Sequence, residues 1–178
     1  MNDDSLAKDL ERRAVQHRQE IAAMDQKREA EQAAASFLLQ EAPRSFKSLQ
    51  AIATARISEV GDQVKNLPPF TEYRGVPGGF GVAQANVVAT FTYLSGSMYA
   101  NVLGDIRVML DIGLHRDVMF GRAKPKTYAF RPVIRGSQIA WTSANRTMNV
   151  DELADFALVQ LTEYYLAIQK MAHAARMP

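Results

Sequence analysis

Two aspartates and an arginine share one face of a segment whose alternating pattern predicts a β-strand. Asp105, Arg107 and Asp111 fall on the same parity, and successive side chains of a strand point to opposite faces. Two carboxylates can act together as a general acid and a general base only when they lie close to each other. Six residues of strand separate these two by about 20 Å, at about 3.3 Å per residue. We therefore expect Asp105 and Asp111 to form cross-strand ion pairs with Arg131 or Arg135 instead of a catalytic pair.

The other residue types that carry chemistry do not stand at catalytic or metal-ligand spacing. The three histidines, His17, His115 and His173, fall in three separate predicted elements, and the chain has no cysteine. The glycine-rich segment 74–79 lacks the preceding strand, the following helix and the Gly-Lys-Ser/Thr ending of a phosphate-binding loop. The sequence thus predicts no catalytic residue, no metal site and no cofactor, and it favours a non-enzymatic protein over an enzyme.

Basic residues concentrate in the second half of the chain. Residues 107–146 hold eight lysines and arginines and two aspartates, whereas residues 1–42 hold six basic and nine acidic residues. With Tyr128, Phe130 and Trp141 nearby, a basic surface could follow a phosphate backbone while the rings stack on bases. The alternatives are that the rings belong to the core, or that the acidic N-terminal segment docks on the basic face, within one chain or between two. The candidate basic patch consists of Arg122, Lys124, Lys126 and Arg135.

Segment 82–145 alternates apolar and polar residues with the period of two that is typical of half-buried strands. Residues that are typical of turns separate four predicted strands. Ser95-Gly96-Ser97 follows the first strand and Gly136-Ser137 precedes the last. Pro132 in the third run cannot donate to a strand ladder, so we expect an exposed edge at residues 131–133. The segment predicts a four-stranded antiparallel sheet with one apolar and one polar face.

Three helices are predicted around this sheet. Residues 4–41 are rich in strong helix formers and hold neither glycine nor proline. Pro43 is expected to end or kink that helix, so that a second helix follows over 44–66. A third helix over 150–174 begins after an Asn-x-x-Glu capping signature at 149–152. We expect the second and third helices to cover the apolar face of the sheet.

These elements make up an α+β fold. The 178 residues fit a polar helical arm and one domain. The N-terminus has no apolar signal segment and no apolar run is long enough to span a bilayer, so we expect a cytoplasmic protein without membrane contact. The predicted organisation is an arm over 1–42 and a domain over 43–178, with helix 44–66, loop 67–81, strands 82–145 and helix 150–174.

The polar face of the sheet is the predicted contact surface. The residues that point to this face include tyrosine and methionine as well as arginine and aspartate. Tyr, Met and Arg are enriched at protein interfaces. The leading hypothesis is an interaction or assembly protein that meets a partner, or itself as a homo-oligomer, through the N-terminal helix and this face. The alternatives are a small-molecule binder or enzyme with a pocket between sheet and helices, and a nucleic-acid module built on segment 107–146. The predicted partner-binding residues are Tyr99, Asn101, Asp105, Arg107 and Arg131.

Overall fold

The computed structural model describes residues 3–61, 64–98, 102–113, 124–144 and 146–174. Within these ranges the chain forms two helices and seven strands, and the strands make one antiparallel sheet in chain order. The prediction of three helices and four strands is therefore wrong, although an antiparallel sheet with helices is present. The elements are α1 (Asp3–Gly61), β1 (Phe70–Tyr73), β2 (Gly79–Gln84), β3 (Val87–Leu94), β4 (Asp105–Ile112), β5 (Lys126–Arg135), β6 (Gln138–Ser143), β7 (Arg146–Met148) and α2 (Val150–Ala174).

The first helix continues through Pro43, where the sequence predicted a break. A proline inside a helix removes one hydrogen bond and costs about 3 kcal/mol. Buried side chains nevertheless recur at spacings of three and four residues on both sides of the proline. Complete burial of a large apolar side chain stabilises a protein by about 1.5–3 kcal/mol. The burial of this stripe requires one continuous helix and outweighs the local cost of the proline. The stripe consists of Leu38, Ala42, Phe46, Leu49 and Ala53.

The predicted loop 67–81 contains β1 and the beginning of β2. The glycines and the proline between the two strands are typical of a loop, so the sequence did not indicate β1 and the beginning of β2. The glycines within β2, however, permit close strand pairing. A Cβ atom at Gly79 would overlap the backbone carbonyl oxygen of Phe91, and one at Gly81 would lie 2.9 Å from the Tyr73 ring. The residues that suggested a loop are thus the ones that allow β2 to lie between its neighbours.

Within the described part of the chain, residues 131–133 of β5 have no strand partner on the β4 side, as expected from Pro132, although Pro132 itself is not exposed. This strand pairs with β4 through residues up to Phe130 and with β6 from Arg131 onward. Pro132 is paired with Trp141 of β6 and is buried. A proline is tolerated here because its missing N–H faces the side on which the β4 pairing has already ended. The turn predicted at Gly136-Ser137 does join Arg135 to Gln138, with Gly136 at a φ of 64°.

Both helices contribute to one core on one face of the sheet. The ring of Phe46 in α1 lies 5.6 Å from that of Phe80, and Phe156 in α2 lies 5.3 Å from Tyr128. These strand residues share a face because the pairing register connects them through the successive partners Phe80, Phe91, Val108 and Tyr128. The second half of α1 and the whole of α2 therefore cover the same apolar face.

The second helix begins at the predicted capping signature. The backbone N–H of Glu152 donates to Oδ1 of Asn149 at 2.8 Å, and the backbone N–H of Asn149 donates to Oε2 of Glu152 at 2.8 Å. This reciprocal pair satisfies donors that a helix start otherwise leaves open. The residues alone specified this feature, and its prediction is confirmed.

The chain divides into two compact units, Met1–Phe37 and Leu38–Pro178. The first unit is helical, and its described side chains are mostly exposed; Asp9 forms ion pairs with Arg12 at 2.9 Å and Arg13 at 3.4 Å. The second unit holds the sheet, the remainder of α1, α2 and the core. No helix within the described ranges is long and apolar enough to cross a bilayer.

Candidate functional site

Three of the predicted partner-binding residues lie on the sheet face that points away from the helices. Asp105 and Arg107 lie on β4 and Arg131 lies on β5, each on the parity opposite to the core residues of its strand. The ion-pair partner of Asp105 is Arg107 of its own strand, with 3.5 Å between Nε and Oδ2, and not an arginine of β5 as expected. Such an exposed pair contributes at most about 1 kcal/mol. Tyr99 and Asn101 lie outside the described residues.

The candidate basic patch is divided between two faces of the sheet. Lys126 lies on the helix side, with Nζ 6.0 Å from the ring centroid of Tyr164 in α2. Arg135 is exposed on the opposite parity, Lys124 is exposed just before β5, and Arg122 lies outside the described residues. The aromatic residues considered for base stacking belong to the core or pack against it, namely Tyr128, Phe130 and Trp141.

The second unit contains a pocket with a volume of about 360 Å³. It lies between the end of α1, the segment that leads to β1, the outer strands β1 and β2, and the first half of α2. Most of its walls are apolar, and three separate parts of the chain form it. The lining residues are Val60, Val64, Leu67, Pro68, Pro69, Phe70, Gln84, Asp155, Leu158, Val159, Thr162 and Glu163.

Gln84 is the polar residue that distinguishes this pocket from ordinary core. Among the described residues it is the one polar side chain in the buried class, with 0% exposure. Its Nε2 donates to the backbone carbonyl oxygen of Pro68 at 3.1 Å, whereas no described group donates to its Oε1. A buried acceptor that lacks a donor costs about 1–3 kcal/mol. Such atoms are few in folded proteins, and this one belongs to a residue that lines a cavity.

A tight turn fixes the position of Gln84. The residue pairs with Val87 at the end of β2, so that Ala85 and Asn86 form a two-residue connection to β3. Ala85 has a φ of 53°, in the left-handed region that a residue with a Cβ rarely adopts. Strained backbone of this kind persists where the surrounding structure determines it. The turn therefore holds the Gln84 amide in the pocket wall, with little freedom for the backbone to move it away.

The charged groups of the pocket lining are two carboxylates on α2. Asp155 accepts a hydrogen bond from Nε of Arg56 in α1 at 3.1 Å. A hydrogen bond from Arg56 to Glu59, followed by the charges of Asp155 and Glu59, raises the pKa of Arg56. Glu163 accepts from Nε2 of Gln160 at 2.8 Å. Within the described part of the lining there is no basic side chain, and Arg56 beside it balances part of the charge of Asp155.

A hydrogen-bonded chain holds Glu163 in place from the sheet side. The hydroxyl of Tyr128 donates to Oε1 of Gln160 at 2.6 Å, and Gln160 in turn donates to Glu163. Burial first, and the negative charge of Glu163 second, raise the pKa of Tyr128. Tyr128 therefore stays protonated at neutral pH and remains a donor. This chain connects β5 to the carboxylate on the pocket wall.

Sequence reasoning missed Gln84, although a signal was present. Phe80, Val82 and Gln84 alternate along β2, and the first two are buried. A polar residue at the third position of that alternation is expected to point into the core, where it needs a partner or a function. The signal was lost because Phe80 fell in the predicted loop 67–81, while residues 82–84 were joined with β3 in one predicted strand.

Neither metal chemistry nor similarity to known proteins adds to this description. No group of three or more histidines and carboxylates within the described ranges is arranged to hold a metal ion. No protein-family model, curated protein or solved structure matches this chain.

Proposed function

We propose that the protein binds a small, mostly apolar molecule in the pocket between its helices and β1. The observation that carries this proposal is the mostly apolar pocket, whose lining includes Gln84, a residue with a buried Oε1 that no described group satisfies. A ligand with one hydrogen-bond donor supplies the missing partner and relieves the cost of the unpaired acceptor. The volume of about 360 Å³ lies within the range of about 300–1,000 Å³ that is usual for small-molecule sites.

Exposed apolar side chains at the opening support the same function. Val64 is 38% exposed and Val159 is 54% exposed, and both line the pocket. Apolar surface that a ligand removes from water contributes about 25 cal/mol for each Å². A bound apolar molecule therefore gains free energy both from the pocket walls and from these two side chains.

A pocket-blocking variant tests the proposal. We expect the uncharged fluorescent probe N-phenyl-1-naphthylamine to bind the wild-type protein, with an increase of its fluorescence. Val159→Trp should weaken this binding by about tenfold or more, because the indole occupies the opening of the pocket. The matched control is Leu166→Trp, since Leu166 lies seven residues further along α2, is 49% exposed and does not line the pocket.

The two variants separate pocket binding from surface binding. Both residues are about half exposed, so neither substitution should shift the melting temperature by more than a few degrees. Equal weakening in both variants, or in neither, would show that the probe binds elsewhere and would contradict the proposal. Absence of any fluorescence increase with wild-type protein would contradict it as well.

A second candidate function is self-association through the N-terminal part of α1. Large apolar side chains are exposed along this segment of the first unit, and such residues on a polar helix are typical of helix–helix contacts. They are Leu10 at 59%, Val15 at 51%, Ile21 at 47% and Met24 at 65%. This candidate keeps the contact surface predicted from the sequence, with Arg107 and Arg131 of the open sheet face as further contact residues.

Light scattering on the full chain tests self-association. If this helix associates, the mass at micromolar concentration should be at least twice that of the 19.8 kDa chain. The double substitution Ile21→Lys with Met24→Lys should return the protein to a monomer without a loss of melting temperature, because both side chains are exposed. A monomeric mass for the wild-type protein throughout that range would rule this candidate out.

A further inference from the structure

The orientation of the Gln84 amide defines which polar group a ligand must carry. The backbone carbonyl oxygen of Pro68 can only accept a hydrogen bond, so the group that faces it at 3.1 Å is the Nε2 donor of Gln84. Oε1 is therefore the end of the amide that lacks a partner among the described residues. Because Gln84 lines the pocket, a turn of its side chain toward the pocket brings this acceptor to the ligand, and the complementary ligand group is a donor such as a hydroxyl or an N–H.

Among the described lining residues, none would compensate a buried negative charge near this amide. Its deeper walls are apolar, and Gln84 presents one neutral acceptor there. Transfer of an ionised group from water into such surroundings is strongly unfavourable unless a counter-ion is present. At the opening, Asp155 and Glu163 are both acidic. A carboxylate ligand would lose its hydration and also meet the negative charge of Glu163 and that of Asp155, which Arg56 balances in part.

The volume of the pocket sets the size of the ligand. A cavity of about 150 Å³ is enough to take up benzene. The pocket measures about 360 Å³, which is room for about two six-membered rings. A single ring would leave unfilled space next to the walls, and its binding would be weaker because the wall atoms beside that space would have no van der Waals partner.

These three properties together specify a class of ligand. We propose, on the basis of the ligand-binding function proposed above, that the pocket selects an uncharged molecule of about two fused rings that carries one hydroxyl or N–H, and rejects anions of the same size. The donor binds Oε1 of Gln84, with a small rotation of the terminal amide torsion, which is soft in glutamine. The rings lie against the apolar walls between Leu158 and Phe70.

Three naphthalene compounds of nearly equal size test this selection at pH 7. The neutral donor is 2-naphthol, its isostere without a donor is 2-methylnaphthalene, and the anion is 2-naphthoate. Each is titrated against wild-type protein by displacement of N-phenyl-1-naphthylamine. We expect 2-naphthol to bind about tenfold more tightly than 2-methylnaphthalene, although the methyl compound leaves water more readily, because 2-naphthol alone satisfies Gln84. We expect 2-naphthoate to bind at least about tenfold more weakly than 2-naphthol.

A substitution at Gln84 connects the selection to this residue. Gln84→Met keeps the length of the side chain but removes the acceptor, so 2-methylnaphthalene should then bind at least as tightly as 2-naphthol. Loss of the hydrogen bond to Pro68 destabilises the variant, whereas removal of the unpaired Oε1 stabilises it. We therefore expect little change in the melting temperature. If the variant does not fold, the order of affinities in the wild-type protein remains a complete test.

The possible results separate this inference from the function on which it rests. If all three compounds displace the probe with equal affinity, and Val159→Trp still blocks them, the pocket is a ligand site but the proposed selection is wrong. Tighter binding of 2-naphthoate would also overturn the selection. If the probe binds in the pocket but none of the compounds displaces it, the proposed selection is wrong; if the probe does not bind, or if Val159→Trp and Leu166→Trp affect it equally, the ligand-binding function itself is contradicted.

Discussion

Trp141→Ala is expected to lower the free energy of unfolding by about 3–5 kcal/mol, the range for removal of a large aromatic side chain from a core. Trp141 is fully buried on β6. Its Nε1 donates to Oγ of Ser45 in α1 at 3.0 Å, and its ring meets Tyr93 of β3 edge-on at 6.4 Å. The substitution therefore removes contacts that hold α1 and two strands together. Urea unfolding followed by circular dichroism measures the change.

Ser45→Ala is the matched control for this substitution. It removes the acceptor of the same hydrogen bond but leaves the ring in place, so the expected loss is about 1–3 kcal/mol. A loss below about 1 kcal/mol for Trp141→Ala would mean that Trp141 is not packed between β6 and α1, and that the core assignment is wrong.

Pro43→Ala is expected to stabilise the protein by about 2 kcal/mol and to raise Tm by about 4–8 °C. Because α1 is continuous through this position, alanine restores the hydrogen bond to the carbonyl oxygen of Leu39 and has the best helix propensity. The full difference in helix propensity between alanine and proline is about 3 kcal/mol. The expected gain is smaller, because proline also stabilises the folded state by restricting the unfolded chain. Differential scanning calorimetry gives the change in Tm.

Pro77→Ala provides the comparison for this prediction. Pro77 lies in the turn between β1 and β2, where proline fits the backbone and stabilises by restricting the unfolded chain. Its replacement should leave Tm unchanged or lower it slightly. A decrease of Tm for Pro43→Ala, equal to that for Pro77→Ala, would show that the helix is interrupted at Pro43, as the sequence suggested.

The sequence was informative where neighbouring residues decide the structure. The capping pair Asn149 and Glu152 and the turn at Gly136 depend on local backbone chemistry, and each was recognised from a few residues. At Pro43 the local preference gave the wrong result, because it competes with the burial of side chains on either side of it, such as Ala42 and Phe46. That competition depends on the sheet packed below the helix, which no local pattern reveals.

The pocket could not be predicted from periodicity. Its walls come from the end of α1, from Gln84 of β2 and from residues 155–163 of α2, which are far apart in the chain. The alternation of Phe80, Val82 and Gln84 indicates a buried amide once β2 is recognised, but it does not indicate whether the amide finds a partner. The unpaired state of Oε1 follows from the position of Pro68, which only the folded chain defines.

Methyl NMR on the full chain tests the central claim, that this pocket binds a small apolar donor, most directly. The spectrum of protein with labelled Leu and Val methyl groups is recorded during a titration with 2-naphthol. We expect saturable shifts at Val60, Val64, Leu158 and Val159, which line the pocket, and none at Leu10 or Val15. Shifts confined to methyl groups outside the lining, or no saturable shift at millimolar 2-naphthol, would contradict it.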